Sequence, residues 1–196
     1  MKLYTRFLIG NQNRYTGVEL SKVAGIPHLA HDAVDRWLAS AGRTPAQLWQ
    51  YTCHLVDRKA GYLVCDDSLL DKRFSHKNEL ARKQYSGNEH GLVTGICVVN
   101  LLWTNGEEYI PVDYCLYQKE NDHLTKNNHL KNMLDTAEKR GFSPLYTLMD
   151  SWYSSVENLK HIVRKNWHFM CNLKSNRLVS VEKGTYLSIA DLELTN

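Results

Sequence analysis

The stretch Gly61-Tyr62-Leu63-Val64-Cys65-Asp66-Asp67-Ser68-Leu69-Leu70-Asp71-Lys72 decides how the rest of the chain is read. Tyr62 to Cys65 is a short β-prone apolar run, and it ends in Asp66-Asp67-Ser68. A charged, turn-rich segment (69–91) leads to two more strand-like runs, Leu92 to Trp103 and Tyr109 to Tyr117. Thr104-Asn105-Gly106-Glu107 joins them, and Asn-Gly between β-prone runs signals a hairpin. Leu124 to Arg140 carries Leu130, Met133, Leu134 and Ala137 at helical spacing, with Gly141 as its stop. Leu145 to Met149 is strand-like and ends in Asp150. Val156 to Lys165 reads as a helix, with Ser154 and Glu157 spaced as a capping box, and Trp167 to Leu173 as a strand. Leu178 to Leu194 reads as two weak strands. Three strands followed by α-β-α-β predict an α/β fold, a mixed sheet with flanking helices. Its first and fourth strands are expected side by side and parallel, each ending in an aspartate.

Upstream the texture is helical. Gly17 to Ala24 is a short helix broken by Gly25-Ile26-Pro27, and His31 to Ala39 is a second, with Ala33, Val34, Trp37 and Leu38 on one face. Gly42-Arg43-Thr44-Pro45 turns the chain into a third, Ala46 to Val56, with Thr44 as cap and Pro45 in the first turn. Residues 1–58 are therefore read as a small helical module of helix-turn-helix type, expected to bind DNA, and 59–196 as the α/β domain. On pattern alone a plain helical bundle fits residues 1–58 as well.

Five tryptophans and eleven tyrosines argue against disorder. Lys and Arg outnumber Asp and Glu by 24 to 21, a balance that permits a nucleic-acid partner without requiring one. Cys53, Cys65, Cys97, Cys115 and Cys171 are odd in number and scattered, so no disulfide framework or zinc knuckle is suggested and a cytoplasmic home is expected. No run approaches the ~18 apolar residues of a membrane span. His28 and His31 have no third ligand at metal spacing and read as surface or capping residues.

Aspartates at the same ends of neighbouring parallel strands can converge on one metal ion. Hard divalent cations take oxygen ligands, usually one or two carboxylates completed by water and phosphate. A pair of such ions about 3.5–4 Å apart activates the attacking oxygen and stabilises the leaving one in phosphodiester displacement. The residues alone leave plainer roles open: Asp150 as a helix cap, and Asp66-Asp67-Ser68 as a strand-to-loop turn.

The run Gly61 to Lys72 resembles the first-aspartate motif of bacterial insertion-sequence DDE transposases, and Asp150-Ser151-Trp152-Tyr153-Ser154-Ser155-Val156-Glu157-Asn158-Leu159 resembles their second. Leu173-Lys174-Ser175-Asn176-Arg177 is similar to the strand and turn that follow, and His31-Asp32-Ala33-Val34-Asp35-Arg36-Trp37-Leu38 to their N-terminal DNA-binding region. The matches are collinear from about residue 20 to about residue 180.

The resemblance implies a ribonuclease-H-like catalytic domain and a transposase acting by metal-dependent DNA cleavage and strand transfer. It implies Asp67 and Asp150 as catalytic, Mg²⁺- or Mn²⁺-binding residues, with Asp66 as the substitute for Asp67, since only one of two successive strand residues can face a site. The family's third acid is a helical glutamate beyond a β-rich insertion. Here Leu178 to Leu194 resembles the start of that insertion, so the chain is expected to be truncated, inactive alone, and poorly soluble or homodimeric.

Double-stranded DNA, the transposon ends, is the expected partner, contacted by Arg36, Lys72, Arg73, Arg82, Lys83, Lys174 and Arg177. The basic stretches 71–85 and 157–177 also fit solvated surface. Two other functions stay open: a non-catalytic DNA-binding module or repressor, and an independent nuclease using Glu182 or Glu193 as third acid.

Overall fold

The computed structural model describes residues 2–26, 29–40, 42–75, 77–87 and 89–192. The chain divides into two compact units, one up to Thr44 and one from Pro45 onward. The first holds α1 (Lys2–Gly10), α2 (Gly17–Val23) and α3 (His31–Ser40) around Phe7, Leu20 and Val34. Thr16 caps α2 by accepting the Glu19 N–H, as its side-chain oxygen allows.

The second unit opens with α4 (Pro45–Thr52), which the sequence reading grouped with the upstream helices. Its partners lie within the sheet-bearing unit: Thr52 Oγ1 donates to the Pro111 carbonyl at 3.1 Å, and Trp49 stacks on Phe142 with ring centroids 5.5 Å apart. α2 and α3 thus lie in the first unit and α4 in the second.

The main sheet contains β1 (Tyr62–Asp71), β2 (Arg82–Ser86), β3 (Gly91–Thr104), β4 (Tyr109–Tyr117), β5 (Tyr146–Met149) and β6 (Phe169–Cys171). It runs β2-β3-β1-β5-β6, with β4 also on β3. β1 is antiparallel to β3 and parallel to β5, and β5 is parallel to β6. This is the mixed sheet expected from the element order.

β1 runs six residues past Cys65, so Asp66 and Asp67 lie inside the strand rather than at its end. The long partner β3 sets that length, pairing with β1 at every position from Tyr62↔Thr104 to Asp71↔Gly95. β2 falls in the segment read as turn-rich; it is a short charged edge strand, the kind that escapes an apolar-pattern search.

The remaining helices of this unit are α5 (Lys119–Asp122), α6 (Lys126–Lys139) and α7 (Val156–Val163). α6 and α7 supply Leu130, Met133, Leu134, Ala137 and Ile162 to one face of the sheet, where they pack on Leu63, Cys65, Val99, Leu101, Trp103 and Met149. α6 begins with a capping box between Thr125 and Asn128. The cap of α7 is Ser155, which accepts the Asn158 N–H, and not Ser154, whose hydroxyl turns back to the Ser151 carbonyl. The opposite sheet face carries half-buried Val64, Leu102 and Leu148 and exposed Met170, a row formed by the strand pairings. β7 (Leu178–Glu182) and β8 (Thr185–Ser188) form a separate two-stranded sheet. Among the described residues no helix is long and apolar enough to cross a membrane.

Candidate active site

Side chains alternate along a strand, and paired residues on neighbouring strands share a face. Cys65 pairs with Met149, and both are buried against the helices. Asp66, the next residue of β1, therefore turns to the opposite, open face, and Asp150 follows directly after the end of β5; both are exposed. Asn100 of β3, paired with Asp66, and Tyr114 of β4, paired with Asn100, continue the same polar row.

Asp66 Oδ1 accepts the Asp67 N–H at 2.8 Å, and Asp150 Oδ1 accepts the Trp152 N–H at 2.7 Å; among the described residues Oδ2 of each has no hydrogen-bond donor. The Asp66 carboxyl is held above the usual range, first by partial loss of water and then by the charges of Asp67 and Asp150. Its hydrogen bond from the Asp67 N–H and the Lys126 charge oppose the rise without cancelling it. Two carboxylates drawn together at such a cost favour a bound cation.

Asp67, the residue preferred from the sequence, faces the covered side. Lys126 Nζ donates to its Oδ2 at 2.7 Å, Tyr153 OH to its Oδ1 at 2.8 Å, and the Cys97 thiol lies 3.7 Å from Oδ2. Burial works against the Lys126 ammonium, but its bond to Asp67 prevails and raises its pKa. Burial, reinforced by Cys65 and Asp67, drives the Tyr153 phenol far upward, so it stays a neutral donor. The fully buried Asn158 ties this region together, donating to Asn127 Oδ1 and to the Tyr153 carbonyl, each at 2.9 Å. Sequence reasoning missed Lys126 and Asn100 entirely; the only signals were a lysine at a helix start and an asparagine inside an apolar strand.

Glu182 lies in the separate β7–β8 sheet, and Glu193 lies outside the described residues. Among the described residues no group of three or more His, Cys, Asp and Glu side chains could hold a metal ion. His31 is an exposed first residue of α3, and His28 lies outside the described residues.

Of the expected DNA contacts, several are already paired with carboxylates. Arg36 pairs with Asp32, Arg73 with Asp71 and Glu89, and Arg82 with Glu120. Lys72 and Lys83 are exposed, and Arg177 is half-buried. The Lys174 ammonium sits over the Trp152 ring.

In a mixed α/β sheet, carboxylates close to the ends of two adjoining parallel strands are hard oxygen ligands of the kind divalent cations take. Residues 1–185 match the family described as DDE superfamily endonuclease, and the chain belongs to that family. No curated protein sequence matches it. Among solved structures it is similar to the piggyBac transposase synaptic complex with hairpin DNA, at 12% identity and a TM-score of 0.44 over 61% of this chain and 24% of that one. It is also similar to the Drosophila P element transposase strand transfer complex, at 13% identity and a TM-score of 0.41 over 95% and 46%. The chain thus spans less than half the length of either transposase.

Proposed function

We propose that this chain is part of a transposase of insertion-sequence type, that its substrate is double-stranded DNA at element ends, and that Asp66 and Asp150 hold the divalent ion its chemistry requires. The observation supporting this reading is the β1–β5 register, whose last pair, Cys65 and Met149, immediately precedes Asp66 and Asp150 in a DDE-family chain. The donor set fits Mg²⁺ or Mn²⁺: two hard carboxylate oxygens with no hydrogen-bond donor among the described residues, on exposed side chains that a phosphate can reach. When bound, such an ion supplies an activated oxygen nucleophile and neutralises charge at the phosphate.

The protein's own part is positional. Asp67 takes the place of a scaffold: it fixes Lys126 and Tyr153, and through Tyr153 and Asn158 it steadies the turn that carries Asp150. Arg36, Lys72, Lys83, Lys174 and Arg177 are the cations assigned to the DNA backbone, together with Arg73 and Arg82 where DNA phosphates replace their present carboxylate partners.

A Mn²⁺ titration of the full chain, followed by electron paramagnetic resonance, tests the assignment. Binding is expected in the wild type and in Asp67→Asn, and at least ~10-fold weaker in Asp66→Asn and in Asp150→Asn, as loss of one of two charged ligands demands. Binding lost in Asp67→Asn but kept in Asp66→Asn would return the role to Asp67. Any Mn²⁺-dependent cutting of labelled duplex should disappear with Asp150→Ala.

A further inference from the structure

Two residues beyond Asp150, the Trp152 side chain is 53% exposed. The backbone beneath it is tied to the site, the Trp152 main-chain N–H donating to Asp150 Oδ1 at 2.7 Å. Two ammonium groups attend the ring: Lys174 Nζ lies 4.7 Å from its centroid and Lys126 Nζ 6.0 Å. Lys126 is anchored by Asp67, whereas Lys174 is exposed on the turn after β6. An indole left half in water contributes little to the fold, and here it is neighboured by cations beside a carboxylate pair.

Aromatic rings recur both at protein interfaces and at nucleic-acid sites. Protein interfaces are depleted of lysine, while single-stranded nucleic acid is held by an aromatic platform flanked by positive charge. The pair of lysines therefore favours the second occupant. We infer that Trp152 is a stacking platform for an unpaired base of a DNA strand, with Lys174 and Lys126 taking the adjoining phosphates. This rests on the reading of the chain as a DNA-processing protein, and adds that the strand is opened next to Asp150. An exposed cation–π contact is weaker than a base stack, so an incoming base displaces Lys174 from the ring and frees its ammonium for a phosphate.

The test measures binding of the full chain to a short fluorescein-labelled oligothymidine strand and, separately, to a blunt duplex. Trp152→Ala should weaken single-strand binding about 10-fold, the usual loss when one stacking aromatic is removed. Trp152→Phe should restore most of it, and duplex binding should stay unchanged in both. Lys174→Ala should flatten the dependence of the logarithm of single-strand affinity on the logarithm of salt by about 0.7, one phosphate contact. Wild-type single-strand affinity in Trp152→Ala would overturn the platform, as would an equal loss on strand and duplex. Failure of the wild type to bind either DNA at low salt would instead overturn the DNA-processing reading itself.

Discussion

Asp66 and Asp67 are chemically identical neighbours whose surroundings give them opposite work. Asp67 accepts from Lys126 and Tyr153, so replacing it strands an ammonium and a buried phenol without an acceptor. Among the described residues Asp66 has only the Asp67 N–H as a donor, and it is charged at some cost. In urea denaturation Asp67→Ala should therefore lose about 2–3 kcal/mol of stability, while Asp66→Ala should lose none. Equal losses would mean that the covered and open faces have been wrongly assigned. Asp113 shows the same logic away from the site. It is nearly buried, and desolvation lifts its carboxyl above the usual range although the Arg140 charge pulls the other way. A raised folded-state pKa favours the protonated form, so the contribution is present in acid and is lost as pH rises through the folded value. Asp113→Asn keeps the oxygen that accepts the Tyr114 N–H and removes the charge. It should melt higher than wild type at neutral pH, with the gap closing below about pH 4, the range of an unperturbed Asp. A gap independent of pH would rule out this cause.

The elements decide where those residues point, and here the sequence was legible only in part. Apolar periodicity marked β3, β4, α6, β5 and α7, because each presents one buried face. It marked only the first four residues of β1, since the rest of that strand is held by main-chain pairing to β3 and its side chains, half-buried Leu69 apart, are polar or exposed. That is why the aspartate pair looked like a strand terminus, and why the surroundings of its two members could not be read from the sequence. Lys126 escaped notice for a similar reason: only the fold brings a helix start 59 positions away in sequence onto Asp67. The entry into β1 depends on Gly61, which has φ +73°. A Cβ there would stand 2.5 Å from the Thr104 carbonyl oxygen and 2.8 Å from Trp103 Nε1, the nitrogen that donates to the Ala60 carbonyl. Gly61→Ala should destabilise the chain by about 2 kcal/mol or more, combining a disfavoured backbone region with a backbone clash. An unchanged melting temperature would show that the strand entry relaxes freely.

At the scale of the whole molecule the question is where a duplex would lie. The net charge of +3 is too small to bind DNA by field alone, so affinity has to come from local cations. Those cations are not equivalent. Arg73 and Arg82 each hold carboxylates that a phosphate would have to displace, and Lys165 is engaged by Asp135 and Glu138 at 2.5 and 2.7 Å. Lys72 and Lys83 are exposed, have no ion pair among the described residues, and stand near one another at the β1 and β2 end of the sheet, where Asp71 and Arg82 both pair with Gly95. Each phosphate contact releases counterions and adds about 0.9 to the slope of log affinity against log salt. The Lys72→Gln, Lys83→Gln double variant of the full chain should thus bind duplex more weakly at low salt, with a slope shallower by about 1.8. Arg73→Gln should change the slope less, because its charge is already partly neutralised. An unchanged slope in the double variant would move the duplex off this end of the sheet, and the exposed Lys160 and Arg164 on the α7 side would be the next pair to replace.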